Sequence, residues 1–284
     1  MNIPMHLTPK TWKYTFEQLG FATSRCSNPQ CRRTALSNVL RRSESYVLNR
    51  NDWFCSPGCL EVVLARRFEN LHASDSRAVA PSRMPLGLLL LGRGKIGDQQ
   101  LRSALAMQGK TGRRIGSCLC SLGATTESDV SSALASQWAC PLFPVQNIQS
   151  GCASLIPAAL LRQHQMLPVH FTAASRSLYV AFARGIDYAC LYAVEQMLDC
   201  HTEPCVVPDR VIFDNIEKRS LECENERALR LPQAKNEMAH TVVSYARQCG
   251  AEEIHYVAMG GDLWARMIGR DGFMDVSFHE TGAN

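Results

Sequence analysis

Between Asp98 and Gln108 the apolar residues fall at Leu101, Ala104, Leu105 and Met107, the spacing of one helix face. Asp98 is expected to cap that helix. The pattern returns 29 residues later, where Val130, Leu134 and Gln137 share a face and Thr126 with Asp129 resembles a capping box. At that offset 85–108 aligns with 114–137 without a gap. Gly87, Leu90, Gly94, Ser103, Ala104, Leu105, Ala106 and Gln108 recur as Gly116, Leu119, Gly123, Ser132, Ala133, Leu134, Ala135 and Gln137. These eight identities define a tandem repeat of 24-residue units joined by the spacer GKTGR. Further on the period shortens. Residues 155–219 read helix, strand, strand, helix, strand, helix, with LPVHFT and SLYVAFA joined by a polar turn and CHTEPCVV as a third strand. Residues 236–278 read helix, strand, hairpin strand. The pattern predicts an α+β protein.

With 284 residues, 46% hydrophobic and 20% charged, the chain is ordinary for a globular protein of two or three small domains. No apolar run approaches the ~20 residues that span a bilayer, and no secretory signal is seen. A cytoplasmic location is expected, with no membrane insertion. Net charge is +4 but uneven: residues 1–84 hold 12 Lys and Arg against 6 Asp and Glu. A basic module of this kind suits an acidic partner or nucleic acid, or is simply a solvated face.

Ala104, Gly109, Lys110 and Thr111 fit a loose phosphate-binding loop, A-x-x-x-x-G-K-T. Such a loop needs a buried strand before it and a helix after it. Here a helix precedes Gly109 and two glycines follow, so the motif belongs to the repeat spacer. No catalytic residues are assigned and no enzyme activity is expected.

The repeat carries its own chemistry. Leu101, Leu105 and Gln108 share one helix face, an apolar patch edged by an amide, on which a purine can lie while the amide reads its edge. Val130, Leu134 and Gln137 repeat it. The glycines Gly87 and Gly116 permit close approach of backbone N–H groups to phosphate, and Arg114 offers a planar fork for phosphate or guanine. This pair of units resembles the cyclic-di-GMP-binding N-terminal domain of type II secretion and type IV pilus assembly ATPases. The shared pattern is R-L-G, a glycine seven residues on, then L-x-x-x-L-x-x-Q, twice. Unit two reads Arg114-Ile115-Gly116, Gly123, Val130, Leu134, Gln137; unit one reads Pro85-Leu86-Gly87, Gly94, Leu101, Leu105, Gln108. The resemblance implies cyclic-di-GMP as ligand, held by Leu86, Gly87, Leu101, Leu105, Gln108, Arg114, Ile115, Gly116, Val130, Leu134 and Gln137. Pro85 departs from the pattern and donates no hydrogen bond; Arg83 and Arg113 are its nearby substitutes. The other reading is that both faces only pack the helices together.

Residues 155–219 resemble the α/β half of the same domain, and 236–279 the opening of the catalytic region, with Glu252-Glu253-Ile254-His255 and Arg270-Asp271-Gly272 in similar places. The family's motor would lie beyond Asn284, so catalysis is not carried over. The resemblance implies a regulator or adaptor that docks on secretion or pilus machinery. His164 and His170 read as ordinary surface or strand residues.

Thirteen cysteines is a large number for a reducing compartment. Cys26 and Cys31, with Cys55 and Cys59, form two close pairs that suit tetrahedral Zn²⁺. WFCSPGCLEVV resembles the second knuckle of treble-clef fingers of the FCS/TRASH type. Cys118 and Cys120, in an expected strand or loop, read as packing residues. The domain reading is a zinc module at 1–72, a linker at 73–84, the repeat subdomain at 85–150, the α/β subdomain at 151–220, a charged linker at 221–235 and a truncated α/β fragment at 236–284. The alternative function is a zinc-dependent nucleic-acid- or protein-binding factor in which the repeat is scaffold.

Overall fold

A computed structural model describes residues 23–36, 44–71, 83–221, 225–232 and 234–279. The expected linker at 73–84 lies outside these except for its last two residues. Each repeat unit folds as a short helix, a glycine turn and a longer helix: α1 (Pro57–Glu69) precedes them, then α2 (Leu86–Gly92) and α3 (Asp98–Thr111), then α4 (Ile115–Ser121) and α5 (Glu127–Trp138). The turns are identical in kind. Gly94 (φ 66°) and Gly123 (φ 65°) are left-handed, and the next residues, Lys95 and Ala124, donate back to the carbonyls of Leu90 and Leu119. Thr126 Oγ1 accepts from the Asp129 amide and donates to its carboxylate. Asp98 does not cap α3; Gly97 is the cap, its N–H held by Gln100 Oε1 at 2.8 Å. Gly109, Lys110 and Thr111 form the last turn of α3, so their backbone is committed to the helix.

The two units pack crosswise, α2 against α5 and α3 against α4. Gly87 and Gly116 sit at equivalent crossings. A Cβ on Gly87 would lie 2.6 Å from Leu101 Cδ1, and one on Gly116 2.9 Å from Val130 Cγ1 and 3.4 Å from Leu86 Cδ2. These glycines therefore serve close helix packing first. Gly116→Ala is expected to cost about 1–3 kcal/mol by overpacking against a χ1-stiff valine, read as a lowered midpoint in urea. An unchanged midpoint would show that the crossing relaxes. Cys118 is buried in this core beside Leu90, Leu101 and Leu119, as a packing residue but on a helix, with Cys120 also on α4.

The α/β subdomain follows the expected order: α6 (Ala158–His164), β5 (Met166–Thr172), β6 (Ser177–Phe182), α7 (Tyr188–Leu198), β7 (His201–Cys205) and α8 (Asp209–Ser220). β5 and β6 form an antiparallel hairpin, and β7 returns parallel to β6. Trp138 at the end of α5 enters this subdomain's core and docks the repeats on it.

The ends of the chain depart from the sequence reading. The N-terminal module contains the short hairpin β1 (Thr23–Arg25) and β2 (Thr34–Leu36), then β3 (Tyr46–Leu48), β4 (Asp52–Phe54) and α1. The C-terminal segment holds β8 (Glu226–Arg230), α9 (Lys235–Gln248), β9 (Glu253–Met259), β10 (Asp262–Ile268) and β11 (Phe273–His279). They are one domain. A six-stranded sheet runs β4-β3-β9-β10-β11-β8, with β3 pairing parallel to β9 through Val47↔Glu253 and Leu48↔Ile254. The expected linker at 221–235 supplies its edge strand β8, parallel to β11. Arg270-Asp271-Gly272 lies at the turn between β10 and β11 rather than in a strand.

Alternation explains why this sheet is covered on both sides. Ile254 on β9 with Leu263, Ala265 and Met267 on β10 face α1 and α9, packing on Leu60, Leu64, Phe68, Met238 and Val242. Val257, Met259 and Trp264 point the other way, into the core of the α/β subdomain. Arg266 also lies at that seam. It pairs bidentately with buried Asp275 at 2.8 and 2.7 Å, donates to the Leu155 carbonyl, and lies over the Phe273 ring.

Candidate functional site

The repeat spacing places Arg114, Ile115 and Gly116 at the start of α4, and Val130, Leu134 and Gln137 along α5. Where the repeats dock on the α/β subdomain these residues line a cavity of about 750 Å³. Leu86 and Gln108 of the first unit join them. Eight of the eleven expected ligand residues are thus brought together. Gly87, Leu101 and Leu105 are not: Gly87 and Leu101 pack against each other at the helix crossing, and Leu105 is half exposed elsewhere. The two units therefore contribute unequally, the second fully and the first through two side chains.

The other wall was not legible in the repeat. Gln165, Ala183 and Arg184 come from the strand ends of the α/β subdomain, and Asp209 and Phe213 from α8. Arg114 bridges both walls. It donates to the Ala183 carbonyl, pairs with Asp209 at 3.0 Å and lies 5.8 Å from the Phe213 ring centre. Burial pushes the Asp209 carboxyl up, and the Arg114 guanidinium opposes that rise. Arg113, Arg114 and Arg184 set three guanidinium groups against this one carboxylate in the lining, so the cavity favours an anion. Its size is that of a small-molecule site, with leucine, isoleucine and valine surfaces for a base and amides of Gln108 and Gln137 for its edge. Gln137 also donates to the Met84 carbonyl at 2.7 Å, which fixes its rotamer and orients its free oxygen.

In the N-terminal module the four thiols of Cys26, Cys31, Cys55 and Cys59 converge, all within 4.8 Å of one another. The first pair flanks the turn beside β1 and β2. The second opens α1, whose N-cap Ser56 accepts from the Cys59 amide. Cys31 and Cys55 Sγ are 3.7 Å apart, and Cys55 and Cys59 Sγ 3.8 Å. Four sulfurs around one Zn²⁺ at ~2.3 Å stand about 3.8 Å apart, so the donor set fits the ion. Burial and the bonds to Cys31, Cys59 and Cys26 push the Cys55 thiol up to about 12. Burial would also raise Cys59, but bonds with Ser56, Asn28 and its neighbouring thiols outweigh it and bring it down to about 7.

His164 is not a surface residue. Its side chain is 9% exposed and bonded on both nitrogens, to Asp262 and to Cys190. His170 is half exposed on β5, between Phe143 and Tyr179.

No protein-family model matches the chain. A stretch of 114 residues is 32% identical to the type IV pilus assembly ATPase PilB of Myxococcus xanthus (strain DK1622), covering 39% of this chain and 19% of that protein. The chain thus spans about a fifth of the length of this curated relative. Among solved structures, that of MshE with cdg (cyclic-di-GMP) is 27% identical with a TM-score of 0.39, covering 48% of this chain and 99% of that one. The N-terminal domain of XpsE is 21% identical with a TM-score of 0.35, covering 47% and 92%. Among the described residues no helix is long and apolar enough to cross a membrane.

Proposed function

We propose that this chain, which carries a domain similar to those at the N-terminus of secretion and pilus assembly ATPases, is a cyclic-di-GMP-responsive regulator that docks on such machinery without catalysing a reaction itself. The observation that carries the reading is the gathering of Leu86, Gln108, Arg114, Ile115, Gly116, Val130, Leu134 and Gln137 around one basic cavity. The second unit grips one guanine and its phosphate through Arg114, Val130, Leu134 and Gln137. The first unit supplies the Gln108 amide and the Leu86 surface.

The cavity wall also supplies a response. Arg114 holds Asp209 of α8, so a phosphate that takes Arg114 releases that helix from the repeats. Asp209→Asn removes the competing carboxylate and is expected to tighten cyclic-di-GMP binding by about tenfold, or ~1.4 kcal/mol. Calorimetric titration of the whole chain checks both statements. No heat with wild type or Asp209→Asn at high micromolar ligand would sink the ligand reading and leave the repeat as scaffold.

The four-cysteine centre holds one Zn²⁺ in this reading, with Cys26, Cys31, Cys55 and Cys59 as thiolates. The ion fastens the β1–β2 turn to α1, which itself covers the six-stranded sheet. Its role is structural, since all four positions are filled by protein sulfur.

A further inference from the structure

At the seam between the α/β subdomain and the six-stranded sheet lies a second group of metal-binding side chains. His164 ends α6, Asp187 caps α7 and Cys190 lies in the first turn of α7. Their ligand atoms fall within 4.8 Å of one another. Cys190 Sγ is 3.2 Å from His164 Nδ1. A thiolate and an imidazole on one tetrahedral Zn²⁺ stand about 3.6 Å apart, so the pair needs to open by only a few tenths of an ångström.

The surroundings orient these groups as an outer shell orients ligands. His164 Nε2 meets Asp262 Oδ2 at 3.0 Å, while the other Asp262 oxygen meets His279 Nδ1 at 3.4 Å. The Asp262 carboxylate, 2% exposed, accepts from His164 and faces the His279 imidazole. That fixes the proton of His164 on Nε2 and leaves the Nδ1 lone pair aimed at Cys190. The ring is held from below by Gly260, whose left-handed backbone (φ 55°) leaves the space a side chain would fill; a Cβ there would lie 2.9 Å from His164 Cε1. Asp187 is pinned by the amides of Ala189 and Cys190, both on its Oδ1.

We propose that His164 Nδ1, Cys190 Sγ and the Asp187 carboxylate form a second divalent-metal site, with Asp262 as the carboxylate that positions the histidine. The mix of one sulfur, one nitrogen and one oxygen is that of Zn²⁺, with water in the fourth position. A Cys–His–Asp order also occurs in nucleophilic catalysis, but Cys190 is fully buried, so a substrate has no approach to its sulfur. A small cation has one past Asp187, which is partly exposed. Bound there, it joins α6 to α7 and, through Asp262, both to β10.

The test is zinc content of the full chain after equilibrium dialysis against Zn²⁺, with cobalt as a spectroscopic substitute. Wild type is expected to hold two ions per chain and Cys190→Ser one, with unchanged circular dichroism and the intense cobalt–thiolate bands of the four-cysteine centre retained. Asp262→Asn is expected to keep two ions but to weaken the second by about ten- to a hundredfold, since it disturbs only the positioning group. Equal zinc content in wild type and Cys190→Ser overturns the proposal, and the cluster is then a hydrogen-bond relay. The two centres are judged separately: one ion in wild type and none in Cys190→Ser upholds this site and removes the four-cysteine one.

Discussion

Removing the zinc proposed at the four-cysteine centre, by chelation or in a Cys55→Ser/Cys59→Ser variant, is expected to unravel the six-stranded sheet while the repeats stay folded. Structural zinc contributes about 10–16 kcal/mol in isolated fingers at neutral pH. A whole domain is stable by only about 5–15 kcal/mol. The four cysteines lie against the core that Phe54, Leu60 and Phe68 share with Met238, Ile254 and Phe278, so losing the ion loosens both ends of the chain. Hydrogen exchange reads this directly. Amides of β3, β9 and β10 should lose protection, and those of α3 and α5 should keep it. Full protection of β9 in metal-free protein would show that the sheet stands without the ion.

The second large effect concerns the ligand. Arg114→Ala removes two or more charge-assisted bonds, each worth about 1.5–3 kcal/mol, and is expected to weaken cyclic-di-GMP more than a hundredfold. Pro85→Arg is expected to do the reverse. Pro85 caps α2 with φ −55° and ψ 139°, and Arg114 caps α4 with φ −67° and ψ 146°. The backbone at the two sites is the same, so an arginine at 85 leaves it in the same direction from the first unit. Tightening of up to about a hundredfold follows if its fork reaches phosphate or guanine. Titrations of the two variants side by side decide it; equal affinity in wild type and Arg114→Ala would show that the cavity binds without its bridging arginine.

What the sequence displays and what it hides follow from distance along the chain. Thr126 acts within a few residues of itself, and the capping box it predicts with Asp129 is present. The α/β order from α6 to α8 is also local and was legible. The six-stranded sheet was not, because β3 meets β9 across some two hundred residues and neither strand advertises its partner. β8 sits in a charged stretch and reads as linker, since an edge strand with exposed side chains has no apolar alternation to show. Half of the ligand cavity was readable because a repeat displays its own periodicity. Asp209, Phe213 and Gln165 were hidden, being single residues placed by tertiary packing. The same holds for His164 with Asp262, joined only across the seam.

The parallel pairing of β3 with β9 makes the repeat and α/β subdomains an insertion within a discontinuous host domain. During synthesis the ribosome delivers the cysteine hairpin and α1 first, followed by everything from 83 to 221, before the strands that complete their sheet emerge. Local contacts in the inserted part need no such wait, so it is free to fold early. The host closes last, once β9 is available to pair with β3, and the long loop between them carries the entropy cost of that closure. Until then the apolar side of α1, with Leu60, Leu64 and Phe68, lacks the β9–β10 face it covers in the folded protein, and that surface stays exposed to solvent.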